Sequence, residues 1–161
     1  MDPTTSREVA AAIGQIPSGL FILTARTDEK RSGMLASWVQ QVCFKPPMVS
    51  VAVAKGRSIM PLISDSLQFG LCQLRDGETR IMRRFTSGVD SGDDPLLGLE
   101  LVPDTVTGVP ILANMLAYLE CQMVNHIDVE GDHNLIVGRI VGGRYFGGSP
   151  AVRVRKDGLK Y

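Results

Sequence analysis

The sequence predicts a mainly β fold, a single small β-barrel with a few short helices, on three observations. Strand-like apolar runs recur along the chain and outweigh the helical patterns. The turns between them are short and carry Gly, Pro or Asp. No internal repeat or linker divides the 161 residues. That length suits one domain, so residues 1–161 are expected to form one unit, and 44% hydrophobic residues suffice for a core.

Each element has its own local reason. Residues 4–16 read as a helix: Thr5 and Glu8 have capping-box spacing, and Val9, Ala12, Ile13 and Ile16 recur at helical intervals. Gly14 and Pro17-Ser18-Gly19 end it. LFILTA, 20–25, is a short buried strand, and the charged RTDEKRSG, 26–33, is a hairpin loop. Residues 34–44 form one extended run, which Lys45-Pro46-Pro47 must end because two prolines remove two ladder donors. MVSVAVA, 48–54, alternates large and small side chains, as a strand of a packed barrel does. Residues 58–66 are a short helix with Ser58 as N-cap and Pro61 in its first turn.

LQFGLCQL, 67–74, is a further strand, followed by an Asp76-Gly77 turn and a short basic helix, 78–86. The Gly-, Ser- and Asp-rich 87–98 reads as an exposed loop, a tip or a lid. Residues 111–129 are poorly periodic and read as one long strand, bent near Asn114 or Asn125. Glu130-Gly131-Asp132 turns the chain back into NLIVGRIVGGRYF, with a tight turn or bulge at Gly142-Gly143. AVRVRK, 151–156, alternates as an edge strand.

Composition narrows the function. Formal net charge is +0, which gives no electrostatic footprint for nucleic acid or an anionic membrane. No apolar run approaches the roughly 20 residues that span a bilayer, and the polar MDPTTSREV lacks the apolar stretch of a signal peptide. Cys43, Cys72 and Cys121 are odd in number, widely spaced and set in apolar runs. They read as reduced core thiols, so a cytoplasmic location is expected. No CxxC or HxxxH spacing is present, and no metal site is expected.

The stretch Gly33–Ser58 carries the chemistry. Lys55, Gly56, Arg57 and Ser58 lie directly before a helix start, where N–H donors, positive charge and the helix dipole together favour a phosphate. KGRS alone is more often a solvated basic turn after a strand. Upstream, Ala36, Ser37, Trp38, Val39 and Gln40 mix polar and apolar groups. Ser37 and Gln40 offer hydrogen bonds to a ring edge, and Trp38 either stacks on a ligand or packs in the core.

GMLASWVQQVCFKPPMVSVAVAKGRS, LEC at 119–121, GDH at 131–133 and the final AVRVRK strand occur in an order that resembles the FMN-binding split-barrel family of flavin reductases. Within that family they look like the reductase domains at the C-terminus of cyanobacterial-type flavodiiron proteins, across about Ile16 to Tyr161. The resemblance implies a Greek-key split β-barrel holding non-covalent FMN at a homodimer interface, with NADH or NADPH as hydride donor to flavin N5. Electrons would pass to free flavin or to an oxygenase or diiron partner.

Carried over by position, Ala36 to Gln40 would face the isoalloxazine and Lys55 to Ser58 the ribityl phosphate. Phe85 matches a Phe near the flavin, and His133 a His beside the nicotinamide, as an orienting donor or a turn cap. His126 reads as structural. Arg83 and Arg84 are either a solvated face or an attraction for a dinucleotide phosphate. Cys43 and Asn134 depart from the family pattern, which usually has Ser and an aromatic residue there. No metallo-β-lactamase-like or flavodoxin portion is visible, so a whole flavodiiron protein is not expected. The alternatives are a flavin electron carrier without NAD(P)H activity and a split barrel for another ligand, such as haem.

Overall fold

The computed structural model describes residues 1–86 and 93–160. Among the described residues the strands are β1, Ser18–Gly19, β2, Phe21–Arg26, β3, Arg31–Ala36, β4, Val39–Phe44, β5, Pro47–Ala54, β6, Gln68–Gln73, β7, Ala117–Asp128, β8, His133–Tyr145, and β9, Val152–Arg153; β2 to β8 form one antiparallel sheet in the order β3-β2-β6-β7-β8-β5-β4. β1 and β9 pair separately. The helices are α1, Pro3–Gly14, α2, Ile59–Ser66, and α3, Thr79–Thr86. The sheet curls until β3 meets β5, and the Ala52 N–H donates to the Trp38 carbonyl at 3.0 Å, one rung beyond the β4–β5 ladder. The result is the expected mainly β split barrel.

Period-two alternation explains why successive residues of β2 are buried on both faces. Its Leu23 and Ala25 enter an inner cluster with Val51, Val53, Phe69, Leu71, Ile136 and the apolar face of α2. Its Ile22 points the other way, into an outer cluster with Cys72, Leu74, Phe85, Ile111 and Leu112. Both faces are therefore covered, one by α2 and one by α3 and the segment before β7. On β5 the large residues Val49, Val51 and Val53 face the interior. The small Ala52 and Ala54 between them face outward.

Several local expectations give way to tertiary structure. The run 34–44 breaks at Ser37-Trp38, because β3 and β4 belong to opposite edges of the sheet. The 26–33 loop shrinks to residues 27–30: Arg31, Ser32 and Gly33 continue the ladder opposite Arg26, Ala25 and Thr24. The strand expected from 111 begins only at Ala117, after a turn in which Asn114 takes a left-handed φ of 62°. Of the turn or bulge expected at Gly142-Gly143, the bulge is found: the β7–β8 register shifts between Glu120 and Cys121, beside Gly142. AVRVRK pairs only through Val152 and Arg153, with β1.

Caps and loops differ as well. Asp2, not Thr5, caps α1, accepting from the Thr4 and Thr5 N–H groups. Ser58 precedes α2 without a side-chain capping bond. The 87–98 loop lies outside the described residues over 87–92; of its described part, Asp93, Leu97 and Gly98 are exposed as expected, while Asp94 to Leu96 are pinned. Leu96 is fully buried, Arg31 binds Asp94 at 2.8 Å, and Arg84 donates to the Pro95 and Leu97 carbonyls. Arg84 is thus a loop anchor.

Candidate functional site

Where β3 and β5 meet without pairing, the outer surface holds a cavity of about 300 Å³. Its floor follows from the small outward residues of β5, Ala52 and Ala54, which leave room that Val or Leu would fill. β3 supplies one wall through Ser32, Gly33, Met34, Leu35 and Ala36, and the crossing adds Ser37 and Trp38. Arg57, Ser58 and Ile59 close it from the turn that opens α2. Phe85 and Thr86 come from the end of α3, and Arg153 from β9.

The turn at Lys55–Ser58 depends on Gly56, whose φ of +83° a side chain would oppose. Arg57 donates its N–H back to the Ala54 carbonyl at 3.4 Å, and its own carbonyl accepts from Met60 N–H at 3.1 Å. The chain thus enters α2 within one turn of the cavity. Mixed apolar walls, a cationic side chain, a hydroxyl and the first turn of a helix suit a ligand with a flat apolar part and an anionic end.

Of the residues singled out from sequence, Ala36, Ser37, Trp38, Arg57, Ser58 and Phe85 come together in this cavity. Val39 and Gln40 continue into β4, opposite Val51 and Ser50, and do not line it. Lys55 turns away: its ammonium pairs with Asp128 at 2.8 Å and its N–H donates to the Asp132 carbonyl at 2.9 Å. It ties the β5–α2 turn to the β7–β8 turn. Gly56 shapes the turn without lining the cavity.

His133 stands behind Trp38. Their ring centroids are 4.7 Å apart at 45°, and His133 Nδ1 meets Asp132 Oδ1 at 2.7 Å. The Arg155 guanidinium lies 5.3 Å from the Trp38 ring centre. Trp38 therefore both packs and lines the cavity. The hydrogen bond from His133 holds the Asp132 carboxyl below its ordinary range, and the one from Lys55 does the same for Asp128. No group of three or more metal-binding side chains occurs among the described residues.

The lining residues missed from sequence are chiefly Ser32, Thr86 and Arg153. Ser32 was hidden by the charge around it, which reads as a loop. Arg153 had no local signal beyond the alternation of its strand, because its relation to Arg57 is purely tertiary.

The fold is shared with solved structures. The NADH:FAD oxidoreductase SgcE6 of Streptomyces globisporus C-1027 superposes with a TM-score of 0.83 at 22% identity, over 96% of this chain and 92% of that one. The styrene monooxygenase flavin reductase of Pseudomonas putida S12 gives 0.77 at 23% identity, over 89% and 90%. In sequence, diflavin flavoprotein A 1 of Synechocystis sp. is 38% identical over 157 residues, which is 96% of this chain but 27% of that protein. The chain thus spans about a quarter of such relatives. A family profile described as flavin reductase like domain matches residues 13–154, from the end of α1 through β9. By that match, which takes in every strand of the barrel and the whole cavity, the chain belongs to the flavin reductase-like domain family.

Proposed function

We propose that the cavity between β3 and β5 binds FMN and that the chain is a NAD(P)H-dependent flavin reductase. The observation that carries this reading is the amphiphilic cavity itself, with apolar walls and Arg57 and Ser58 at the start of α2. A flavin, when bound, supplies the acceptor for a hydride from reduced nicotinamide. The chain's own residues would do the rest. Arg57, Ser58 and the first N–H groups of α2 would bind the ribityl phosphate, and the turn made by Gly56 would present them.

Met34, Leu35 and Trp38 would exclude water from the ring, and Ser37 and the nearby backbone would hold its polar edge. Phe85 would support the wall from α3. His133, held by Asp132, would orient Trp38 and the donor's approach, while Lys55 would brace the turn through Asp128. Such positioning is the protein's share of hydride-transfer catalysis.

A second copy would complete the site. β4 exposes Val42 at 50% and Phe44 at 84%, and β7 exposes Val124 and Ile127. We read the exposed apolar residues of the edge strand β4 as part of the homodimer contact. Onward delivery of electrons to free flavin, or to an oxygenase or diiron partner, is part of the same proposal.

Two measurements test the reading. FMN titration should change flavin absorbance with about one FMN per chain, and anaerobic NADH or NADPH should bleach it. A protein that ignores FMN would overturn flavin binding. Bound flavin that neither donor bleaches would leave an electron carrier.

A further inference from the structure

Trp38 lines the cavity from the crossing between β3 and β4, half-buried and outside either strand. The pleat of the sheet therefore does not set its side chain. Two of its neighbours bear on the ring. One is His133, at 4.7 Å between ring centres. The other is Arg155, whose guanidinium carbon lies over the indole, 5.3 Å from its centre. Arg155 itself does not line the cavity.

The packing of residues 155–160 on α1 fixes Arg155. Its N–H donates to the Gly14 carbonyl at 2.9 Å, and Gly158 N–H donates to the Ala10 carbonyl at 2.7 Å. Its Nη1 donates to the Lys160 carbonyl at 3.2 Å, so the side chain is tied to the same docked segment. The two backbones meet glycine to helix: a Cβ at Gly14 would strike the Arg155 carbonyl, and one at buried Gly158 would lie 2.5 Å from Ile13 Cβ. A cation over the face of an indole restrains it, and a ring already restrained loses less rotamer freedom when a ligand packs against it. We infer that Arg155 is a positioning residue: seated on α1, it holds the Trp38 ring at the cavity wall and so raises ligand affinity without touching the ligand. That the ligand is FMN rests on the flavin reductase reading; the restraint on the ring is measurable without flavin.

Trp38 is the single tryptophan, so its emission reports this ring alone. Acrylamide quenching of the flavin-free chain is measured for wild type, Arg155→Gln, Arg155→Lys and Gly158→Ala, beside the melting temperature and the Kd for FMN. Arg155→Gln should raise the quenching and weaken FMN by roughly two- to fivefold, with Arg155→Lys recovering part. Gly158→Ala keeps Arg155 but unseats its segment, and should shift both readings the same way. In a Trp38→Leu background, Arg155→Gln should leave the Kd for FMN nearly unchanged. Unaltered quenching in Arg155→Gln, or an equal loss of FMN affinity with and without Trp38, would overturn the inference. So would a Gly158→Ala protein that melts lower with Trp38 undisturbed. If quenching rises in both variants but wild type ignores FMN, the flavin reading fails while the positioning of Trp38 stands.

Discussion

Replacing Gly33 by Ala tests whether the cavity wall is as tightly built as described. A Cβ at position 33 would sit 2.8 Å from Phe85 Cε1 and 3.5 Å from both Ile22 Cγ2 and the Leu23 carbonyl oxygen. Carbon pairs prefer roughly 3.5–4.0 Å, so the ring must retreat by about 1 Å. Phe85 is only 4% exposed and packs in the outer cluster with Leu20, Ile22 and Leu96, so its retreat is resisted. Overpacking of this kind costs about 1–3 kcal/mol. At roughly 2–4 °C per kcal/mol for a domain of this size, the midpoint of thermal unfolding should fall by about 2–12 °C.

The same change pushes Phe85 within the cavity wall, so FMN should bind more weakly. Phe85→Leu removes the ring edge that Cβ would strike. In that background Gly33→Ala should cost at least about 1 kcal/mol less, a coupling that urea unfolding of the four proteins measures. Additive costs would show that the clash is not with Phe85 and refute the reasoning.

Arg57→Ala should weaken FMN by about tenfold and riboflavin by less than about twofold, as equilibrium titration with each flavin would show, because the lost group meets phosphate; equal losses would put the phosphate elsewhere. His133→Ala should leave FMN affinity nearly unchanged yet slow anaerobic flavin reduction by about tenfold or more in stopped flow, through a displaced Trp38; lost stability with an unchanged rate would make the histidine purely structural. Burial pushes the Cys72 and Cys121 thiols up to about 12, so a thiol reagent at pH 8 should find only the partly exposed Cys43 in the native chain and all three in denaturant. Asp128 is held below its ordinary range by Lys55 first and the Glu130 N–H second. A depressed folded value adds stability above the unfolded value, and that stability is lost as pH falls through the folded one. The urea-midpoint gap between wild type and Asp128→Asn should thus be full at pH 7 and close below the usual carboxylate value of about 3.9; a gap that persists in acid would mean the ion pair is not its source.

What was legible in the sequence is what short-range chemistry dictates. Continuous apolar runs marked β2 and β6, which are covered on both faces. Two prolines marked the turn before β5, and Ser58 with the apolar 59–63 marked α2. The paired 117–145 hairpin was visible as two long runs around Glu130-Gly131-Asp132. The misses share one cause. Residues 34–44 look continuous because nothing local distinguishes a strand from two strands that separate to opposite sheet edges. The charged 26–33 looks like a loop, yet Arg31 and Ser32 suit an edge strand, where charge is tolerated. Lys55 looked like a phosphate ligand because Asp128, its actual partner, is 73 residues away.

The break at Ser37-Trp38 also explains why a site arises there at all. A barrel sealed between β3 and β5 would cover both edges with ladder bonds. Here the chain leaves β3 and crosses to β4 on the far side of β5, and the Ala52-to-Trp38 bond extends the β4–β5 ladder without joining β5 to β3. The unsealed groove is then lined by whatever segments end beside it: β3, the outward alanines of β5, the turn into α2, the end of α3 and β9. No two of these segments need resemble a motif, and their charges need not follow the chain average. A chain with a formal charge of +0 therefore presents two arginines to one cavity. Whole-chain charge argues against a polyanion spread over the surface, but it says nothing against a small anion held in one cavity.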